Sequence, residues 1–127
     1  MDLVIARENT EGFYADRNMV SGSGEFMPTD DTALAVRKIT VKGSEQIARA
    51  AFELARTRRK KVTAVHKANV LQVSDGLFLD CVKRVGENYS DVELDDVLVD
   101  AMAAYLIRRP TDFDVVVTTN MFGDILS

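Results

Sequence analysis

The run Val62-Thr63-Ala64-Val65, followed at once by His66-Lys67-Ala68-Asn69, combines the two features from which the fold can be inferred. Its β-branched residues favour a short strand, and polar side chains come where that strand ends. Two other apolar runs, Leu3–Ala6 and Phe113–Val117, also lead directly into polar residues. A continuous apolar run such as Leu3–Ala6 is typical of a strand covered on both faces. We therefore predict buried strands at Leu3–Ala6 and Phe113–Val117 and a further strand at Val62–Val65.

Helical patterns lie between these strands. Four segments have the apolar spacing or the signals of a helix: Ser44–Arg58, a segment that Ser74 can cap, Val97–Arg108, and a segment that begins at Met121. Residues 32–41 and 92–94 could add two further strands. The alternation of strands and helices predicts the α/β class.

The composition is that of one ordinary globular domain. The chain has 127 residues, of which 46% are hydrophobic and 28% charged, with a net charge of −4. This acidic balance disfavours general binding to nucleic acid or anionic membranes, so we interpret Arg58-Arg59-Lys60-Lys61 as cations near a helix C-terminus. No apolar run reaches the roughly 20 residues of a membrane span, and no signal-peptide pattern is present. Cys81 is the single cysteine, which favours a cytoplasmic setting without an internal disulfide.

Two other features concern the organisation of the chain. Residues 15–31 form the longest loop-like stretch, with Gly22, Gly24 and Pro28, and we predict an arm or flap there. Both chain ends interrupt a pattern, because an apolar run begins at Leu3 and the helix-like segment at the C-terminus has no stop signal. We therefore expect the chain to be part of a longer protein.

Polar groups of complementary chemistry follow the predicted strands. Ligands of α/β sheets bind beyond the carboxyl ends of strands. Arg7 offers a rigid fork for a carboxylate, and Lys67, if partly desolvated, could act as a base. Each of these could instead be a solvated surface charge, and His66 could be a structural histidine. The residues alone thus predict a site for an anionic ligand.

Two aspartates raise the question of a metal ion. Asp100 and Asp124 both adjoin apolar runs, where a carboxylate needs a cation or a hydrogen-bond donor. Oxygen ligands would suit Mg²⁺ or Mn²⁺. Asp100 could equally be a first-turn acid that the helix dipole stabilises.

Four ordered motifs extend through the chain: Asp2-Leu3-Val4-Ile5-Ala6-Arg7-Glu8-Asn9-Thr10-Glu11-Gly12-Phe13-Tyr14, Val65-His66-Lys67-Ala68-Asn69-Val70 with Ser74-Asp75-Gly76-Leu77-Phe78, Val99-Asp100-Ala101, and Asn120-Met121-Phe122-Gly123-Asp124-Ile125-Leu126-Ser127. Together they resemble the β-decarboxylating 2-hydroxyacid dehydrogenases, the family of isocitrate, homoisocitrate, 3-isopropylmalate and tartrate dehydrogenases. The resemblance implies the isocitrate/isopropylmalate dehydrogenase-like fold, mostly its smaller, dimer-forming domain. Residues 1–127 would then be the central substrate-binding, metal-binding and dimerisation domain of a longer enzyme.

The resemblance also implies a chemistry. A small anionic 2-hydroxy acid would be oxidised by NAD⁺ or NADP⁺ and lose its β-carboxylate as CO₂, with Mg²⁺ or Mn²⁺ as the metal. Arg7 would hold a substrate carboxylate, Lys67 would assist removal of the hydroxyl proton, and Tyr14 would help to protonate the enol. The remaining matches are Asn69 near the nicotinamide and two metal ligands, Asp100 and Asp124.

A homodimer with shared active sites is implied as well. One chain would supply Lys67, Asn69 and Asp100, and the opposite chain Arg7, Tyr14 and Asp124. Residues 15–37 match the arm that clasps the partner, and the helices that begin near residues 97 and 121 match those at the interface. The isolated 127-residue chain is therefore expected to have little or no turnover.

The substrate branch is less sharply indicated. Asn9-Thr10-Glu11-Gly12 and His66-Lys67 resemble the isocitrate and homoisocitrate branch, whereas typical isopropylmalate enzymes more often have Leu-Thr-Gly-Gly and Asp-Lys there. An isopropylmalate or tartrate dehydrogenase is an alternative that these residues do not exclude. The alternative is a non-catalytic dimerising or regulatory domain of the same fold, against which the joint presence of all six matched residues argues.

Overall fold

A four-stranded parallel sheet forms the centre of the computed structural model, which describes all 127 residues. The six strands of the chain are β1 (Val4–Arg7), β2 (Glu25–Thr29), β3 (Thr32–Ala35), β4 (Lys61–His66), β5 (Glu93–Leu98) and β6 (Val115–Thr118). The main sheet has the order β1-β6-β4-β5, and β2 and β3 form a separate antiparallel hairpin. The four helices are α1 (Val41–Arg56), α2 (Ser74–Gly86), α3 (Val99–Arg108) and α4 (Asn120–Leu126). The predicted α/β class is confirmed.

Helices cover both faces of the sheet because successive strand residues point to opposite sides. Val115 and Val117 pack with α1 and α2 in the larger core, whereas Val116 faces α3 in the smaller one. Cys81 is fully buried on α2. None of the helices combines the length and the apolar character that a membrane crossing requires.

Both faces of Leu3–Ala6 contact the core as predicted, Ala6 against the larger cluster and Leu3 and Ile5 against the smaller one, but the run is not fully buried. The corresponding strand β1 is only half-buried, because it is an edge strand that pairs with β6 alone. The apolar run indicated a strand correctly, but the position of a strand within a sheet depends on pairing partners that are distant in sequence.

Several element boundaries also differ from those predicted. The loop-like stretch of residues 15–31 contains β2, and the helix predicted from residue 97 begins only at Val99, because β5 extends to Leu98. Ser74 is the first residue of α2 rather than its cap, and Val73 occupies the N-cap position. The Ser74 hydroxyl instead accepts a hydrogen bond from Arg37.

The basic group lies near the C-terminus of α1 as predicted, and it also makes ion pairs. Helix α1 ends at Arg56, so Arg58 and Arg59 lie beyond its last turn. Arg58 Nε donates to Asp114 Oδ1 at 2.8 Å, and the Arg59 backbone N–H donates to Asp114 Oδ2 at 2.8 Å. Asp114 is buried just before β6, so these contacts fix the amino edge of the sheet.

Phe52 is one of the fully buried large side chains, whose truncation should cost much stability. It is fully buried on α1 and stacks on Tyr89 with ring centroids 5.1 Å apart. We expect Phe52→Ala to lower the free energy of unfolding by about 3–5 kcal/mol, because it opens a cavity between α1 and α2. Urea unfolding followed by circular dichroism measures this loss. Leu54→Ala, at a partly exposed position of the same helix, is the control and should cost about 1 kcal/mol or less; equal losses would contradict the assignment.

Candidate active site at the carboxyl edge of the sheet

All four strands of the parallel sheet end at one edge, and the six predicted site residues follow those ends. Arg7 is the last residue of β1, and Lys67 comes directly after β4. Asp100 lies in the first turn of α3, which follows β5, and Asp124 lies in α4, which follows β6. The carboxyl edge is where α/β sheets bind ligands.

Three of these residues form what we call the arginine cluster: Arg7, Tyr14 and Asp124. The Tyr14 hydroxyl donates to Asp124 Oδ2 at 2.8 Å, and Arg7 Nη1 lies 3.4 Å from Asp124 Oδ1. The hydrogen bond to the Asp124 carboxylate raises the pKa of Tyr14 above its usual value. The phenol is therefore protonated at neutral pH, the state that a proton donor requires.

A glycine allows this cluster to form. A Cβ atom at Gly123 would lie 2.6 Å from Arg7 Cγ and 2.9 Å from Arg7 Cβ, which are impossible distances for carbon atoms. Helix α4 can therefore approach β1 closely only because residue 123 has no side chain. The same approach brings Asp124 to the Arg7 guanidinium.

Asn120, which is not one of the six predicted site residues, orients Arg7. Its Oδ1 accepts a hydrogen bond from Arg7 Nε at 2.7 Å, and its Nδ2 donates to the Glu11 carbonyl at 3.1 Å. Asn120 is 1% exposed, and Gly12, with φ +106°, lies against its Cβ. Two sequence signals pointed to it: its place shortly after the predicted strand Phe113–Val117 and its place at the start of the last motif.

The other three residues form what we call the lysine cluster: Lys67, Asn69 and Asp100. Lys67 Nζ donates to Asp100 Oδ1 at 2.7 Å, and this contact lowers the pKa of the Asp100 carboxyl below its usual value. Asp100 is thus ionised at neutral pH in the first turn of α3, as expected of an acid near a helix N-terminus. Asn69 is exposed in the turn after β4, and its side chain makes no hydrogen bond within the chain.

The two clusters are separate within one chain. No hydrogen bond or ion pair joins them directly, and no three potential ligands lie close enough to hold a metal ion. β6 lies between β1 and β4, which puts the ends of those two strands about 10 Å apart. Within a single chain, Asp100 and Asp124 each face the cation of their own cluster, Lys67 and Arg7 respectively.

His66 is part of the scaffold. It is 6% exposed, its Nε2 lies 2.8 Å from Asp96 Oδ2, and its Nδ1 accepts the Ala68 backbone N–H at 2.9 Å. Both ring nitrogens are thus engaged within the chain, which agrees with the structural alternative considered for this residue. His66 thereby fixes the start of the turn that carries Lys67.

Comparisons with known proteins give consistent matches over the whole chain. A family model described as isocitrate/isopropylmalate dehydrogenase matches residues 1–127. The chain is 52% identical to a homoisocitrate dehydrogenase and 48% identical to a 3-isopropylmalate/3-methylmalate dehydrogenase, both from Methanocaldococcus jannaschii. Each alignment covers 100% of this chain but only 34% and 38% of the relative, so the chain spans about a third of their length. The solved structure of isocitrate dehydrogenase from Methylococcus capsulatus matches 98% of this chain and 36% of its own, with 47% identity and a TM-score of 0.86.

Proposed function

This chain belongs to the isocitrate/isopropylmalate dehydrogenase family, and on that basis we propose that it is the central part of a longer, metal-dependent dehydrogenase. That enzyme would use NAD⁺ or NADP⁺ to oxidise a 2-hydroxy acid and would release its β-carboxylate as CO₂. The observation that carries the proposal is the pair of clusters at one sheet edge, each with part of the required chemistry and neither complete alone.

Each cluster supplies different steps of the reaction. The Arg7 guanidinium would hold a substrate carboxylate, since its fork matches two oxygen atoms and Asn120 already fixes its direction. Lys67, after its ammonium group has lost a proton to solvent, would take the proton of the substrate hydroxyl as the C2 hydride departs to the nicotinamide. After CO₂ has left, the Tyr14 hydroxyl would deliver a proton to the carbon that carried the carboxylate. Asn69 is exposed, so its amide is free to face the nicotinamide.

The oxygen donors of Asp100 and Asp124 suit a hard divalent ion once two chains combine. Both carboxylates are exposed, at 66% and 57% of their side-chain area, and each now faces a cation of its own cluster. When bound, Mg²⁺ or Mn²⁺ would polarise the hydroxyl and carbonyl oxygens of the substrate. We therefore propose a homodimer in which the lysine cluster of one subunit meets the arginine cluster of the other.

The exposure of the β2–β3 hairpin is an argument for the proposed dimer. Every residue of both strands is exposed, among them Phe26, Met27 and Leu34, which are 47%, 63% and 47% exposed. A two-stranded hairpin is marginally stable alone, and neighbouring exposed apolar side chains usually mark a contact surface. We propose that residues 15–37 form the arm that packs on the partner subunit.

The substrate can be tested with a panel of hydroxy acids. We expect the longer protein, with Mg²⁺ or Mn²⁺ and either nucleotide, to reduce that nucleotide with isocitrate or homoisocitrate. Its kcat/KM should exceed that for 3-isopropylmalate and tartrate by about 10-fold or more, because a polar site discriminates against substrates that leave its groups unpaired. The isolated 127-residue chain is the control and should show little or no turnover. Preference for 3-isopropylmalate would reassign the branch, and inactivity with all four would favour the non-catalytic alternative.

A further inference from the structure

Asp75 closes the turn that carries Lys67. Asp75 Oδ2 accepts the Lys67 backbone N–H at 2.5 Å, the Lys67 carbonyl accepts the Leu71 N–H at 2.8 Å, and the Leu71 carbonyl accepts the Asp75 N–H at 3.0 Å. The backbone of Lys67 is therefore held on both sides. Since the side chain extends from this backbone to Asp100, the ring of contacts determines where the ammonium group can reach.

Arg37 offsets the energetic cost of burying the Asp75 carboxylate. The Asp75 side chain is 0% exposed and that of Arg37 is 6% exposed, and Arg37 Nη2 lies 2.5 Å from Asp75 Oδ1. This oxygen receives no directed hydrogen bond, so the guanidinium compensates it by charge. A carboxylate without such a cation is strongly disfavoured in a protein interior.

Arg37 also reaches the supports of the arginine cluster. Its Nη2 donates to Thr119 Oγ1 at 3.1 Å, next to the Asn120 that orients Arg7. Its guanidinium carbon lies 5.1 Å from the ring centroid of Phe13, the neighbour of Tyr14, and 5.5 Å from that of Phe122. One planar, five-donor group thus fixes the turn of Lys67 relative to the other half of the edge.

We propose that Arg37 and Asp75 are a positioning pair for Lys67, an inference that rests on the role of Lys67 in the proposed function. The pair contacts the backbone of the Lys67 turn and the corner before Asn120, and neither side chain is available to substrate. Loss of the pair would displace the Lys67 ammonium group without removing it. The effect of losing Asp75 belongs in the chemical step, because Asp75 contacts the Lys67 turn, whereas substrate carboxylate binding is the task of Arg7.

The test uses variants of the full-length dehydrogenase. We expect Asp75→Asn, which keeps the shape but removes the charge, to lower kcat by about 10- to 100-fold, as a misplaced reacting group does. KM for the hydroxy acid should stay within about threefold, since ground-state binding is not changed. Arg37→Met should have the same effect on kcat, and Arg37→Lys should recover a large part of it because a cation still faces Asp75.

Asp114→Asn is the matched control. Asp114 is also buried, accepts a backbone N–H and pairs with an arginine, but it lies at the amino edge of the sheet. It should lower the melting temperature while kcat stays within about twofold of wild type. A kcat within twofold of wild type for Asp75→Asn overturns the inference, as do equal kcat losses for both variants at equal melting temperatures. Lys67→Met is measured in the same series: if it remains active, the proposed function itself has failed.

Discussion

Replacing Lys67 with methionine should lower kcat of the full-length dehydrogenase by about 10²- to 10⁴-fold, the range observed when a positioned proton-transfer group is removed. Methionine keeps the length and the apolar stem of the side chain but loses the ammonium group that lies 2.7 Å from Asp100. The turn around residue 67 should stay intact, because Asp75 and Leu71 hold it by backbone contacts. Steady-state kinetics with the preferred hydroxy acid at saturating nucleotide and metal measures the loss.

Two further variants separate proton transfer from charge. Lys67→Arg keeps a cation beside Asp100, but a guanidinium does not give up its proton at accessible pH. We therefore expect it to be nearly as inactive as Lys67→Met. Lys83→Met, at an exposed position of α2, should leave kcat unchanged. Full activity of Lys67→Arg would show that only the positive charge matters and would remove Lys67 from the proton-transfer steps.

Two inactive variants should restore activity to each other. Lys67→Met disables the lysine cluster and Tyr14→Phe the arginine cluster, so each homodimer has two defective sites. A hybrid dimer has one site with both substitutions and one with neither. After unfolding and refolding of an equal mixture, we expect about one quarter of wild-type activity, because half of the dimers are hybrids and each has one intact site.

A mixture of variants from the same cluster is the control for this experiment. Arg7→Met and Tyr14→Phe would come from the same subunit in every site, so their hybrids would contain no intact site. This mixture should stay as inactive as its components. Recovery in the control, or no recovery in the cross-cluster mixture while hybrid dimers form, would contradict the shared site.

The local sequence predicted the strands and helices well, but it did not predict how many neighbouring strands each strand has. The valines at 115–117 are hydrophobic on both faces of β6, and they are fully buried because that strand lies inside the sheet. Leu3–Ala6 has the same apolar character and forms an edge strand, since nothing in a short run specifies how many neighbours it will have. The motifs located the six predicted site residues, and the structure adds which of them contact each other.

Arg37 and Asp75 were missed for a related reason. An arginine in a polar stretch and an aspartate at the start of a helix are each ordinary surface patterns. Their burial arises only when the segment after β3, the start of α2 and the corner before α4 come together, which local periodicity cannot reveal. The sequence signal available for Asp75 was its place in the second motif, as a carboxylate at the start of a helix with one apolar face.

The position of Arg37 has a consequence for the dimer as a whole. In the proposed assembly, the lysine cluster and the arginine cluster of one subunit serve different reaction centres. The Arg37 guanidinium contacts the supports of both clusters. In that dimer it would therefore connect two reaction centres that have no residue in common. Through this connection, substrate bound at one centre would shift the positions of catalytic residues at the other. The two centres of the dimer would then not act independently.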